Sequence, residues 1–106
     1  MSKDVVEVMQ VHDISETRFI IEWENGLRVL GTINAISETD NGFEENEDGY
    51  VEYYACFFKI LQVLSEANEF PVTGVPVFAD SNIEISMLIP PKRVVLENGQ
   101  VIWSAH

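Results

Sequence analysis

Residues 18–35, which read RFIIEWENGLRVLGTINA, decide the fold of this chain. On both sides of Asn25-Gly26, apolar and polar side chains alternate with a period of two. Such alternation is typical of a half-buried strand, and Asn-Gly favours a type I′ turn because both central residues need a positive φ. The stretch therefore predicts a β-hairpin. Its inward face would carry Phe19, Ile21, Trp23, Leu27, Val29, Gly31, Ile33 and Ala35.

The same turn chemistry recurs near the other end of the sequence. Residues 93–96 and 100–103 are apolar-rich runs that flank Asn98-Gly99, so they predict a second hairpin. Residues 83–89 alternate and predict a strand that ends at Pro90-Pro91, because proline cannot donate to the ladder. Its inward side chains would be Ile83, Ile85, Met87 and Ile89.

The sequence also predicts a strand at residues 5–12 and a long connection at residues 65–82. Residues 5–12 are rich in β-branched side chains, which favour a strand. Residues 65–82 contain Pro71, Gly74 and Pro76, which indicate a long connection. Within that connection the sequence predicts at most a short edge strand at residues 75–78.

Residues 50–64 are compatible with two structures. Their aromatic and β-branched side chains favour a pleated strand. Against this, Glu52, Lys59, Gln62 and Glu66 recur at helical spacing, and aromatic pairs would face both sides of a strand. We favour a long, bent strand that crosses the core. The alternative is a helix at about residues 50–66.

These elements predict a single, mostly β domain over residues 1–106. Six or seven antiparallel strands would form a meander that curls into a small, partly open barrel, because closure removes exposed strand edges. A helix at 50–66 would make the class α+β instead. The predicted interior holds Phe19, Trp23, Phe57, Ile85 and Trp103.

The charge of the chain is its clearest functional signal. It has 18 acidic and 6 basic residues, giving a net charge of −12. An excess of that sign repels nucleic acid and anionic membranes and attracts cationic partners. Much of it is concentrated between Arg28 and Lys59, where no base occurs. The acids in that interval are Glu38, Asp40, Glu44, Glu45, Glu47, Asp48 and Glu52.

No motif for catalysis or cofactor binding is present in the sequence. It has no phosphate-binding glycine loop and no nucleophile elbow, so the balance of observations is against an enzyme. Cys56 lies among aromatic residues and is predicted to be a buried thiol. An EF-hand aligned on Gly49 fails, because Ala55 takes the place of the bidentate glutamate. The sequence therefore predicts no metal and no cofactor.

The chain is best interpreted as a non-catalytic protein-interaction module in the cytoplasm, since residues 1–4 do not begin an apolar signal segment. One version is an immunity or inhibitor protein that binds a basic enzyme through its acidic segment. Tyr50 is included in this predicted site with the seven acids, because tyrosine offers rigid apolar area with a polar tip. The alternative is a small-ligand or cation-binding barrel with weak hydrolytic activity. A homo-oligomer is a further alternative.

Overall fold

The computed structural model describes residues 4–40, 42 and 44–105, and within them the protein is mostly β, as predicted. Six antiparallel strands form one sheet in the order β4-β3-β2-β1-β5-β6. The sheet is accompanied by one short helix. The elements are α1 (Val5–His12), β1 (Arg18–Glu22), β2 (Arg28–Asp40), β3 (Glu52–Val63), β4 (Asn82–Ile85), β5 (Arg93–Leu96) and β6 (Val101–Ser104).

Both predicted hairpins are confirmed. In the first, Phe19 lies opposite Gly31 and Ile21 opposite Val29. The type I′ turn predicted for it is wrong, because Gly26 has a positive φ of 94° and Asn25 does not. The Gly26 amide donates to the Trp23 carbonyl at 3.1 Å, and the Trp23 amide donates to the Leu27 carbonyl at 2.9 Å. The connection is therefore a three-residue loop that ends in a left-handed glycine. The second hairpin joins β5 to β6, and β5 also pairs with β1. The two hairpins therefore form one continuous sheet.

The long strand at residues 52–63 is confirmed, and the alternative helix at 50–66 is wrong. β3 pairs with β2 along its length and with β4 on its other edge. Its buried face is formed by Cys56, Phe58 and Ile60. Phe57, predicted to lie in the interior, is on the opposite face and is 38% exposed. Phe58 packs in the core instead, because successive side chains of a strand point to opposite faces.

The strand predicted at residues 5–12 is also wrong, because these residues form helix α1. The Asp4 side chain accepts a hydrogen bond from the Val6 amide at 2.8 Å and caps the helix. Val5, Val6 and Met9 are buried in the core, a helical spacing that packing enforces over the β preference of valine. The signal for this helix was an N-cap aspartate with a glutamate three residues later, Asp4 and Glu7.

Helix α1 packs across the sheet, which does not close into a barrel. The helix contacts both β3 and β6. In a flat sheet these strands would be about 19 Å apart, while an eight-residue helix is about 12 Å long, so the sheet must curl around the helix. The helix occupies the concave side, and β4 and β6 remain as the two edges among the described residues. The predicted partly open barrel is thus an open, curled sheet.

Three further expectations differ from the structure in detail. β4 ends at Ile85, before the prolines, and Met87 is 37% exposed rather than inward. A register shift between Ile33 and Ala35 turns Ala35 outward. The predicted edge strand at 75–78 is reduced to a single bridge between Glu69 and Pro76, because proline has no N–H to extend a ladder.

Cys56 is a free, fully buried thiol, as predicted. Burial raises its pKa to about 12, and the nearby charge of Asp13 acts in the same direction. A thiol with so high a pKa is almost entirely protonated at neutral pH and is therefore inert as a nucleophile. This residue belongs to the core.

Candidate functional site

The predicted acidic residues lie at the far end of the long β2–β3 hairpin. We call residues 38–52 the acidic arm. Asp40 on β2 lies directly opposite Glu52 on β3, and Glu38 lies opposite Tyr54. Like charges directly opposite each other destabilise strand pairing. The acidic side chains at this end of the hairpin therefore lower the stability of the pairing between β2 and β3.

The other four acids lie in the loop that joins the two strands. Glu44, Glu45, Glu47 and Asp48 are all exposed. Two turns shape the loop: the Glu47 amide donates to the Glu44 carbonyl at 3.0 Å, and the Tyr50 amide donates to the Glu47 carbonyl at 3.2 Å. The loop thus holds its four carboxylates outward at the tip of the hairpin.

Tyr50 is integrated into the acidic arm. Its hydroxyl donates to Oε1 of Glu52 at 3.0 Å. Desolvation, this hydrogen bond and the charges of Glu52, Asp40 and Glu45 raise the pKa of Tyr50 to about 12. A shallow hollow of about 200 Å³ is lined by Glu38, Thr39, Asp40, Tyr50 and Glu52. The structure therefore brings five members of the arm around one polar depression.

The three arginines of the chain lie far from this arm. Within the described residues, Arg18 pairs with Glu97 at 3.4 Å, and Arg28 and Arg93 pair with Glu22 at 3.7 and 2.6 Å. Arg28 begins β2 and Asp40 ends it. Thirteen extended residues span roughly 40 Å, several times the screening length of about 8 Å at physiological salt. The arginines therefore do not neutralise the arm.

None of the seven arm acids forms an ion pair with a base in the part of the chain that the structure describes. The same part contains no group of three or more histidine, cysteine, aspartate or glutamate side chains placed to hold a metal ion. The carboxylates of the arm thus form an exposed anionic surface.

The structure also contains an apolar groove that the sequence did not predict. It has a volume of about 430 Å³ and lies between β4 and the two connections that flank it. Its apolar lining includes Phe70, Val75, Phe78, Ile83 and Leu88. The available signal was the number of large apolar side chains within the proline-rich connections, where no regular strand could bury them.

The groove contains few polar side chains in its lining. Its lining contains Thr73, Ser81 and Ser86 as hydroxyls, and Glu84 is the one titratable residue among the described residues that line it. Ser86 Oγ accepts a hydrogen bond from the Leu88 amide at 3.2 Å. Apolar side chains make up most of the lining. The groove is therefore suited to binding apolar groups.

Comparison with known proteins places the chain near one family. The family model described as "Cognate immunity protein YxxD" matches residues 1–106. No curated protein and no solved structure matches the chain. Among the described residues, no helix has the length and apolar character to cross a membrane.

Proposed function

The chain belongs to the family of the cognate immunity protein YxxD, and on that premise we propose that it neutralises a cationic toxin protein through the acidic arm. Family membership supports a non-catalytic, immunity-type role and implies a toxin as partner. Two parts of the proposal go beyond family membership: binding through the acidic arm, and a positive charge on the toxin. The observation that carries them is the set of seven exposed carboxylates at one end of a long hairpin, unpaired with any described base.

The physical role of the arm would be to speed and orient encounter. Complementary charge raises association rates by about 10- to 1,000-fold over neutral surfaces, and the effect falls with salt. The arm lies at one end of the long β2–β3 hairpin, so its field would act on a partner that approaches from that side. A toxin that acts on nucleic acid would present a basic surface of the required sign.

The test compares two variants with equal loss of charge. The arm variant carries Glu44→Gln, Glu45→Gln, Glu47→Gln and Asp48→Asn. The matched control removes four exposed acids elsewhere, namely Glu7, Asp13, Glu16 and Glu66. The partner is a toxin encoded near the gene for this chain. It is identified by co-expression, as the toxin against which the wild-type chain protects cells. Association with that toxin is measured by stopped flow at low and high salt.

We expect the arm variant to associate roughly tenfold more slowly at low salt and to lose much of its salt dependence, while the control changes little. If the two variants slow association equally, net charge acts without the arm. If neither changes it, the arm has no part in binding. Either result refutes the proposal.

A further inference from the structure

The apolar groove is bordered by an open strand edge. β4 is the last strand on its side of the sheet in the described structure and pairs with β3 alone. Just before β4, the Asp80 amide donates to the Ile60 carbonyl at 2.7 Å, and the Ile60 amide donates to the Ser81 carbonyl at 2.9 Å. Since bonded pairs alternate along an antiparallel ladder, the backbone groups of Ile83 point toward β3 and those of Asn82 and Glu84 point away from it. The edge therefore offers free donors and acceptors.

Apolar side chains beside this edge are unusually exposed. Val75 is 59% exposed, Phe78 is 63% exposed and Leu88 is 50% exposed, and all three line the groove. Its volume of about 430 Å³ lies within the range of about 300–1,000 Å³ that is typical of ligand pockets. An edge strand with an apolar flank is the arrangement that accepts an added strand, because backbone bonds give affinity and the flank receives alternate side chains.

Charge decides which occupant suits the edge. Glu84 is on the solvent-facing side of β4, and its Oε1 accepts the Tyr53 hydroxyl at 3.5 Å. No base is among the described residues that line the groove, although Lys59 lies opposite Asn82 on β3. A second copy would bring another Glu84 and another net charge of −12, which opposes pairing. A segment with basic side chains beside Glu84 complements it instead.

We propose that an extended segment of the partner toxin, with alternating apolar and basic side chains, adds to β4 as a further strand. Its apolar side chains would enter the groove on the side of Ile83, and its basic side chains would lie beside Glu84. This inference rests on the proposed function for the existence of the toxin, and it assigns the anchoring contact to a surface other than the acidic arm.

The first test uses peptide probes and the isotope-labelled full chain in solution NMR. The probe is the acetylated, amidated peptide Lys-Val-Lys-Ile-Lys-Val. A second peptide has glutamate in place of lysine, and a third is methylated on alternate backbone nitrogens, which removes donors and keeps the side chains. We expect the first peptide to shift the amide signals of residues 82–89 saturably, the methylated one to bind roughly tenfold more weakly and the acidic one not to bind.

Other results would overturn the inference. Signals that shift only within residues 38–52 would place the peptide on the arm. Equal binding of the methylated peptide would show apolar contact without strand addition. Broadening of residues 82–85 that grows with protein concentration, without peptide, would mean that a second copy occupies the edge. The absence of any shift at β4 would also refute it.

The second test uses the toxin itself and separates this inference from the proposed function. The variant Phe78→Ser with Leu88→Ser removes exposed groove side chains, so folding should be retained. The matched control is Ile14→Ser with Val101→Ser, which removes side chains that are 90% and 49% exposed elsewhere. We expect faster dissociation for the groove variant alone, with unchanged salt dependence of association. An unchanged dissociation rate would refute binding of the toxin at the groove, and it would not affect the proposed role of the acidic arm.

Discussion

Replacing Glu22 with glutamine tests the charge cluster that joins three adjacent strands. Glu22 ends β1 and lies opposite Arg28 of β2 on one side and Arg93 of β5 on the other. Arg93 Nε donates to Glu22 Oε2 at 2.6 Å. The Glu22 side chain is 21% exposed, so solvent screens this pair less than an open surface pair. The substitution keeps the shape and one acceptor and removes the charge.

The expected magnitude follows from the kinds of hydrogen bond involved. A bond to a charged group contributes about 1.5–3 kcal/mol and a neutral one about 1 kcal/mol. The difference therefore runs from about 0.5 to about 2 kcal/mol, and because both arginines are more than 40% exposed, we take a value in its lower half. Glu22→Gln should therefore lower the free energy of unfolding by about 1 kcal/mol near neutral pH, and Tm by about 5 °C.

The same carboxyl predicts how this loss depends on pH. The hydrogen bond from Arg93 holds the pKa of Glu22 below its ordinary value of 4.5, although burial acts in the opposite direction. A lowered pKa in the folded state gives stability that is present above the unfolded-state pKa and is lost as pH falls through the folded-state pKa. Wild type and Glu22→Gln should thus differ at neutral pH and converge in acid below that folded-state pKa.

Urea unfolding followed by tryptophan fluorescence measures both effects. Glu97→Gln is the matched control, because Glu97 and its partner Arg18 are 57% and 54% exposed and 3.4 Å apart. Pairs of that kind often contribute nothing measurable. A loss that persists unchanged in acid, or an equal loss for Glu97→Gln, would refute the assignment of this stability to the charged Glu22.

Three further predictions concern the core and the helix. Gly31→Ala should destabilise by about 3 kcal/mol or more in urea unfolding, since a Cβ there would lie 2.5 Å from Phe58 Cε2 and closer still to strand backbone; a loss under about 1 kcal/mol would contradict this packing. Cys56 should react with a thiol reagent only as fast as the chain opens, because burial raises its pKa to about 12; rapid reaction of the native protein would contradict its burial. Asp4→Ala should cost about 1 kcal/mol through loss of the helix cap, while Asp4→Asn should cost less, and equal losses would argue against capping.

The elements that the sequence predicted correctly have local signals. Asn-Gly between alternating runs marks each hairpin, because glycine accepts the positive φ that Gly26 and Gly99 adopt, 94° and 96°. The acidic arm is visible for a similar reason, since seven acids without an intervening base can be counted in the sequence. Its placement at an exposed hairpin end required only that residues 52–63 be a strand.

The features that the sequence did not predict depend on contacts between distant residues. The valines of α1 favour a strand locally, and they form a helix because Val5, Val6 and Met9 fill the concave side of the sheet. Phe57 and Phe58 are the same residue type, so the sequence does not show which of them is buried. The strand register decides this. The groove is formed by two irregular connections that meet beside β4. A contact between two irregular segments leaves no periodic pattern in the sequence.

The position of β1 between β2 and β5 has a consequence for synthesis. One neighbour follows at once along the chain, whereas Arg93 lies 71 positions beyond Glu22. Pairing across so long a loop is slow, since loop entropy must be overcome before the contact stabilises anything. During translation one edge of β1 stays unpaired until β5 has been made, so we expect folding to be completed only after residues 93–96 have left the ribosome.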